Sequence, residues 1–377
     1  DLFRPTKGGK VASEKLPVVW MHTPYHRRTY RNRPAADAYP GYSLRLTPYG
    51  YNVAVVDFRG LYASFGRNTG FNRGEWVEAA RMDAYDVTEW FARQPWSNGR
   101  IGMWGCSATG GSQMQAATTA PPSLKAIFPM SCEFDAYPFG VAGGVARAAG
   151  PTSVPPAGAA GNRDAGATAV DGPDGAALLA QAIATHKDNL DNAGRAPFRD
   201  SVSPTLGVRW WEQSSPSHYL AALKRSGIAI YAAANWDEAA TGYGAFFTYR
   251  NLGPRTKLIL GPGTHCDWTF VKRETGFDLV VEELRFFDHW LKGVKNGVMD
   301  EPGVTYFTYN APAGQAWRTS KTWPLASERR TAFFLGDGLG GAAPRAAGTR
   351  SVQLGAAAQT TSTAVKAPEG GLSFETA

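Results

Sequence analysis

The chain contains few cysteines for its length. Three cysteines stand among its 377 residues, at Cys106, Cys132 and Cys266, with neither CxxC spacing nor a paired histidine. This pattern excludes a zinc-finger site, and the odd number excludes a fully bridged disulfide framework. One disulfide pair remains open, but we expect three buried thiols that act as small apolar side chains. We predict no metal and no organic cofactor.

Long apolar runs and concentrated charge are also missing. No segment reaches the roughly 20 apolar residues that a membrane-spanning helix needs. Charged residues make up 19% and hydrophobic residues 43%, which indicates a folded core rather than disorder. The net charge of +7 is scattered except at residues 26–33, HRRTYRNR. We interpret that segment as a loop of solvated arginines, or one that faces an anionic group, and not as a nucleic-acid surface.

The two ends of the sequence have no features of a natural start or finish. The chain begins at Asp1 without methionine or a secretion signal, and it ends in the strand-like alternation of residues 372–377, LSFETA. We therefore expect a processed or incomplete piece of a longer protein. The localisation, cytoplasmic or secreted, and the oligomeric state remain open.

Short apolar strands alternate with amphipathic helices through most of the chain. The runs at 17–21, PVVWM, and 52–57, NVAVVD, are continuous rather than alternating, as expected for strands buried on both faces of a parallel sheet. Further strands are predicted at 100–105, 124–130, 228–233 and 257–260, and helices at 75–91, 112–119, 176–186 and 279–292. This order predicts an open α/β sheet. Residues 135–220, rich in Ala, Gly and Pro near their start, are predicted as an insertion over the end of that sheet, and the sequence from Val304 onward as a separate β-rich unit.

A candidate nucleophile lies in the segment RIGMWGCSATGGSQ, residues 100–113. A strand runs into a glycine-flanked turn and then into a helix, which is the context of a nucleophile elbow. The spacing is G-x-S-x-x-G, and its central position is Ser107, so we expect Ser107 rather than Cys106 to attack. A serine hydroxyl needs a base and an acid that orients the base.

His265 is the candidate base. It lies in the glycine-rich segment GPGTH directly after a predicted strand, whereas His186, His218 and His289 have the context of structural residues. His22 and His26, which follow the first predicted strand, remain alternatives. In hydrolases of this type the acid falls between the serine and the histidine in the chain. Asp237, at the end of the strand that starts at Ile228, is the preferred acid, and Glu238 is its competitor.

Several motifs together resemble the CocE/NonD hydrolases, which are related to X-prolyl dipeptidyl aminopeptidases and α-amino acid ester hydrolases. The motifs are HTPYHR at 22–27, VVDFRGLYASFG at 55–66, GMWGCSATGGSQMQAA at 102–117, PFRDS at 197–201, WWEQSSPSHYL at 210–220, GPGTH at 261–265 and FFDHWLKG at 286–293. The resemblance implies an α/β-hydrolase core over 1–134 and 221–301, and a helical cap over 135–220. It also implies the start of a jelly-roll-like β-sandwich over 302–377.

The same resemblance implies a serine hydrolase that cleaves acyl esters or amides through an acyl-enzyme. Ser107, Asp237 and His265 match the catalytic triad. The hydroxyl of Tyr25 and the backbone N–H of Ala108 match the oxyanion hole, since a fixed donor can meet the developing negative charge. An X-prolyl peptidase, or a non-catalytic binding protein on a hydrolase scaffold, is the alternative.

The sequence departs from the family at positions next to these residues. Ala108 stands where a tyrosine is common, so a pocket wall is lost while the backbone donor is kept. Ala239 and Ala240 stand where the amino-ester relatives carry carboxylates. We therefore expect a preference for neutral acyl groups over α-amino acyl groups.

Overall fold

The computed structural model describes most of the chain. It covers residues 1–27, 43–68, 78–141, 164, 166–189, 198–204, 206–238, 240–329, 334–335 and 339–340. Strands β1 to β13 are, in order, Leu2–Phe3, Thr6–Lys7, Lys10–Val11, Leu16–Thr23, Asn52–Asp57, Ser97–Cys106, Leu124–Met130, Ala229–Asp237, Thr256–Thr264, Val304–Phe307, Trp317–Ser320, Phe334–Leu335 and Leu339–Gly340. Helices α1 to α9 are Glu78–Ala92, Ala108–Thr118, Ala136–Gly140, Gly175–Thr185, Trp210–Gln213, Leu220–Ser226, Ala240–Leu252, Trp268–Thr275 and Leu279–Lys292. Short 3-10 helices cover Ser43–Tyr49, His186–Asp188 and Pro216–Tyr219.

One mostly parallel sheet forms the centre of the molecule. Its strand order is β1-β5-β4-β6-β7-β8-β9-β10-β11. The strands from β5 to β10 run parallel to their neighbours, and the outer strands β1 and β11 run antiparallel. The chain places β5 on one side of β4 and β6 on the other. Ligands bind at such a reversal of strand order, beyond the carboxyl ends of the strands.

Both faces of the sheet are covered, which explains its continuously apolar strands. Val18 and Trp20 of β4 pack into a cluster with residues of α1, α2 and α6. Val19 and Met21 pack into a second cluster, on the opposite face, with residues of α8 and α9. Since successive side chains of a strand point to opposite faces, each face needs its own apolar set.

The predicted strands and helices of the core are confirmed. β5 and β7 have the predicted bounds, and β4, β6, β8 and β9 extend the predicted strands by a few residues. Helix α2 begins at Ala108 rather than at the predicted Ser112, because it starts directly after the turn at Ser107. The predicted α/β class with a parallel sheet is therefore confirmed.

The predicted insertion and the predicted β-rich unit are described only in part. Of residues 135–220, the segments 142–163, 165, 190–197 and 205 lie outside the described residues, as does the predicted motif residue Pro197. β10 and β11 continue the core sheet, although they fall within the range predicted as a separate unit, 302–377. Most of that range beyond residue 329 lies outside the described residues, so the jelly roll stays a prediction. Within the described ranges, no helix combines the length and hydrophobicity needed to cross a membrane.

Candidate active site

Ser107 occupies a sharp turn between β6 and α2. Its φ of 62° and ψ of −125° lie outside the ordinary strand and helix regions. The flanking glycines are required by close contacts. A Cβ on Gly105, whose φ is 142°, would lie 2.4 Å from Thr109 Oγ1, and one on Gly110 would lie 2.5 Å from Met130 O. The strand-turn-helix context that the sequence predicts for a nucleophile elbow is therefore present.

Hydrogen bonds from the elbow fix its backbone. Ser107 N donates to Met130 O at 3.0 Å, and Thr109 Oγ1 donates to Cys106 O at 2.7 Å. The N–H groups of Gly110 and Gly111 donate to Ser107 O at 2.9 Å. Ala108 is the first residue of α2, so its N–H is one of the first-turn donors for which a helix supplies no acceptor.

Tyr25 reaches the candidate nucleophile, Ser107, from the loop after β4. Its hydroxyl lies within hydrogen-bonding distance, 3.4 Å, of Ser107 Oγ. β4 and β6 are adjacent, and the chain reverses between them, so their carboxyl ends meet at one point of the sheet edge. The structure thus brings together Tyr25, Ser107 and the start of α2, as the sequence predicts.

Arg27 holds the segment that carries Tyr25. Its backbone N donates to Asp57 Oδ1 at 2.5 Å, and its guanidinium donates to Asp57 Oδ2 at 2.9 Å. It also donates to the carbonyl oxygens of Thr168 and Ala169, at 2.8 and 3.2 Å. Burial raises the pKa of Asp57, and the hydrogen bonds and charge of Arg27 oppose that shift. Of the two expectations for residues 26–33, Arg27 fits an arginine that faces an anionic group, since it is buried against Asp57, and not a solvated arginine. Residues 28–33 lie outside the described residues.

His265 follows β9 and faces an acid with its Nδ1 atom. That atom lies 3.3 Å from Glu238 Oε2 and 3.2 Å from Thr241 Oγ1. The Glu238 side chain is fully buried, while 43% of the His265 side chain is exposed. Among the described residues, no hydrogen bond joins His265 to Ser107, and such bonds are often long before substrate binds.

Glu238 is held by a set of donors. Ser131 Oγ donates to Oε1 at 2.5 Å, the backbone N of Asn235 donates to Oε1 at 2.7 Å, and Thr241 Oγ1 donates to Oε2 at 2.9 Å. Sequence reasoning missed Ser131 and Thr241, since neither belongs to a motif. Their role depends on contacts between β7, β8 and α7 that only the fold creates.

Among the described residues, no hydrogen bond or ion pair joins Asp237 to His265, whereas Glu238 contacts it, so the preference for Asp237 over Glu238 stays a prediction. Asp237 is exposed, and its Oδ2 accepts a hydrogen bond of 3.2 Å from the hydroxyl of Tyr309, which also donates to Pro262 O at 2.9 Å. Burial and the nearby Asp237 raise the pKa of Tyr309 to about 12. Adjacent residues of an extended segment point to opposite sides. Asp237 and Glu238 therefore cannot both face His265, and the structure turns Glu238 toward it.

Cys106 and Cys266 form a disulfide, so the expectation of three buried thiols is wrong for this pair. Their Cα atoms are 6.0 Å apart. Cys132 is buried and lies outside the disulfide. A bridged sulfur has no thiolate, and the thiolate is the nucleophilic form of cysteine. Cys106 therefore cannot compete with Ser107 as the nucleophile.

Two further histidines, His22 and His186, are buried. His22 is buried at the end of β4, and burial lowers its pKa to about 3. His186 contacts Asp164 Oδ1 at 2.8 Å and the backbone oxygen of Ser64 at 2.9 Å. Within the described part of the chain, no cluster of three or more His, Cys, Asp or Glu side chains has the arrangement of a metal site.

Comparison with known proteins identifies the family of this chain. The sequence profile of the X-Pro dipeptidyl-peptidase family (S15 family) matches residues 1–267. The chain is 26% identical to the cocaine esterase of a Rhodococcus species over 89% of this chain and 59% of that protein. It is 28% identical to a Mycobacterium bovis protein named provisionally as a serine esterase, over 89% of this chain and 60% of that protein. The chain thus spans about 60% of the length of these curated relatives.

Solved structures show the same fold. A CocE/NonD family hydrolase from Staphylococcus aureus superposes with a TM-score of 0.60 at 23% identity, over 89% of this chain and 55% of that chain. Its fold is the mostly parallel α/β fold described above. Since the family profile matches residues 1–267, well over half of the chain, the chain belongs to the X-Pro dipeptidyl-peptidase (S15) family.

Proposed function

We propose that this chain carries the catalytic core of a serine hydrolase that cleaves acyl ester bonds through an acyl-enzyme. The observation that carries the proposal is the convergence of two contacts at the carboxyl edge of the sheet. The Tyr25 hydroxyl lies 3.4 Å from Ser107 Oγ, and His265 directs Nδ1 to the buried Glu238. Family membership supports the same chemistry.

In the proposed reaction, Ser107 Oγ attacks the carbonyl carbon and passes its proton to His265. With Nδ1 facing Glu238, the nitrogen left for that proton is Nε2. The oxyanion is held by the Tyr25 hydroxyl and the Ala108 N–H. The imidazolium then protonates the leaving alcohol, and a water molecule, activated by the same histidine, releases the acid.

Glu238 is the proposed orienting acid, and Asp237 is its alternative. A triad acid has to hold the imidazole in one tautomer and stabilise its protonated form. The burial of Glu238, its three donors and its contact with Nδ1 support this role. Asp237, which the family resemblance aligns with the acid, is exposed and bound to Tyr309.

The substrate class is proposed as an ester, with an X-Pro amide as the second candidate. The similarity to a cocaine esterase supports an ester substrate, while the match to the S15 family profile supports an X-Pro amide. A panel of p-nitrophenyl esters of increasing acyl length, beside Ala-Pro p-nitroanilide, separates the two. We expect the ester with the best-fitting acyl chain to have the higher kcat/KM. Hydrolysis of the anilide alone would make the protein a peptidase.

A fluorophosphonate probe tests whether the chain is a catalyst at all. The probe reacts covalently with activated serines, so a binding protein on the same scaffold would not be labelled. We expect labelling and ester hydrolysis in the unmodified chain and in a Ser123→Ala control. We expect both to disappear in Ser107→Ala. Labelling that persists in Ser107→Ala would disprove the assignment of the nucleophile.

A further inference from the structure

The disulfide joins the two segments that carry the proposed nucleophile and base. Cys106 directly precedes Ser107, and Cys266 directly follows His265, although 160 positions separate the two cysteines in the chain. The bond thus crosses the active site at its two central residues.

The sheet alone would hold these segments far apart. β6 and β9, which end at Cys106 and Thr264, are separated in the sheet by β7 and β8. Neighbouring strands lie about 4.8 Å apart, so β6 and β9 lie roughly 14 Å apart within the sheet. The Cα atoms of Cys106 and Cys266 are only 6.0 Å apart. The loop after β9 therefore folds back over the sheet edge toward β6.

This return of the loop depends on an unusual backbone conformation. Cys266 has a φ of 62°, in the left-handed region that few non-glycine residues adopt. Ser107, next to the other cysteine, also has a φ of 62°. Such conformations persist when the surrounding structure holds them, and they are common at functional sites.

The segment with Ser107 and the segment with His265 form hydrogen bonds with different parts of the fold. The elbow binds Met130 O through Ser107 N at 3.0 Å. The base loop is held by Asn235 Nδ2, which donates to Thr264 O at 2.9 Å, and by the contacts of His265 Nδ1 with Glu238 and Thr241. The latter contacts fix the imidazole on its acid side. The disulfide is the direct covalent link on its nucleophile side.

We propose that Cys106 and Cys266 are positioning residues, whose disulfide keeps His265 over Ser107, and that its reduction slows the chemical step. This inference rests on the proposed function. A displacement of about 1 Å between reacting groups can lower a rate by up to a hundredfold, so a loosened loop should lower kcat more than it changes KM.

The reduction has a defined chemical path. Cys266 is half-buried while Cys106 is fully buried, so a small dithiol reaches the Cys266 sulfur first. A thiolate of the dithiol attacks that sulfur, and Cys106 leaves as a thiolate that takes up a proton. The second thiol of the reagent then displaces Cys266. The protein gains two electrons and two protons, and the dithiol becomes a cyclic disulfide.

Cys132 provides a matched control. It packs in the cluster with α1, α2 and α6, whereas Cys106 packs in the cluster on the opposite face of the sheet. Because the two clusters lie on opposite faces of the sheet, we expect no exchange between the third thiol and the bridge. Cys132→Ala should leave both kcat and its response to reductant unchanged.

The test compares oxidised protein, dithiothreitol-treated protein and the double variant Cys106→Ala/Cys266→Ala. It uses p-nitrophenyl ester kinetics, fluorophosphonate labelling rates and thiol counting, at a temperature where circular dichroism shows each form folded. We expect reduction to lower kcat about tenfold with KM within about twofold. Reoxidation should restore kcat, and the double variant should have a low kcat that is insensitive to dithiothreitol.

The outcomes separate this inference from the proposed function. If the oxidised chain is not labelled at Ser107, the proposed function fails. If it is labelled, and thiol counting shows a reduced bridge with unchanged kcat, the positioning role is wrong. If dithiothreitol leaves the bridge intact, the test rests on the folded double variant. If the kcat of that variant equals the kcat of the oxidised chain, the positioning role is also wrong.

Discussion

Two glutamates of this protein have buried side chains and opposite surroundings. The side chain of Glu238 is fully buried, and it accepts hydrogen bonds from Ser131, Asn235 N and Thr241. Glu283 is 2% exposed, and its buried Oε1 has no hydrogen-bond partner among the described residues. Burial raises the pKa of Glu283 to about 8.

The difference lies in where each residue stands on the sheet. Glu238 follows β8 at the carboxyl edge, where loop and helix N-terminus supply donors and where a histidine approaches. Glu283 lies on α9, which packs its apolar side chains on one face of the sheet. Burial alone therefore does not identify a catalytic acid. The donors around Glu238 support its proposed role, because they fix the orientation of the carboxylate toward His265.

The largest expected effect comes from removing the charge of Glu238. Glu238→Gln keeps the size of the side chain but no longer stabilises the protonated imidazole, so kcat for a p-nitrophenyl ester should fall by about 10³-fold to 10⁴-fold. Asp237→Asn, its adjacent control, should change kcat by less than about threefold. The reverse ranking, with Asp237→Asn as the inactive variant, would restore the acid that the sequence favours.

The sequence favours Asp237, and the structure places the next residue, Glu238, against His265. This difference shows which parts of the site could be predicted from the sequence. The turn at Ser107 was predictable because steric contact at Gly105 and Gly110 excludes every larger residue there. The choice between Asp237 and Glu238 depends on the direction in which each side chain points. The pairing of β8 with β9 shifts register between Asn235 and Asp237, directly before these residues. A one-residue shift of register moves every side chain of a strand to the opposite face, and the residues around Asp237 have no sequence pattern that predicts such a shift.

The pairing of Cys106 with Cys266 could have been predicted from the sequence, but the path of the loop that carries Cys266 could not. If Ser107 and His265 meet in a triad, the cysteines next to them must also lie close together. That inference needs the triad as a premise, and cysteine spacing alone gives no pairing. The return of the loop at Cys266 over two strands is a property of tertiary packing.

The second-largest effect on kcat is expected from Tyr25, the proposed donor to the oxyanion. Tyr25→Phe removes one donor and keeps the ring, so kcat should fall about a hundredfold while KM changes little. Tyr49→Phe, an exposed tyrosine outside the site, is the control. A change confined to KM would assign Tyr25 to binding of the ground state instead.

Glu283 should affect stability and not catalysis. The unfolded carboxyl loses its proton near its ordinary pKa of 4.5, whereas the folded one keeps it up to about 8. Between these values the folded chain binds more protons, so the stability present below pH 4.5 is lost as the pH rises toward 8. Glu283→Gln stays neutral. Its free energy of unfolding should match the parent near pH 4.5 and exceed it by about 4 kcal/mol at pH 8.

Urea unfolding at several pH values, with kcat measured on the same samples, checks this prediction. Glu274→Gln, at an exposed position of α8, should show no such pH dependence. An unchanged pH profile in Glu283→Gln would mean that the buried carboxyl is solvated in the folded chain. A large loss of kcat would remove the contrast with Glu238.

Thr241 should give the smallest effect, because it acts on Glu238 rather than on the substrate. Its hydroxyl lies 2.9 Å from Glu238 Oε2 and 3.2 Å from His265 Nδ1. Thr241→Val removes this donor at nearly constant volume and leaves the acid with two others, so the loss should be about 1 kcal/mol, or roughly fivefold in kcat. Thr241→Ser should restore most of the rate, whereas Thr248→Val, buried on the same helix, should leave kcat unchanged. A rise in kcat for Thr241→Val would instead mean that the hydroxyl competes with Glu238 for the imidazole.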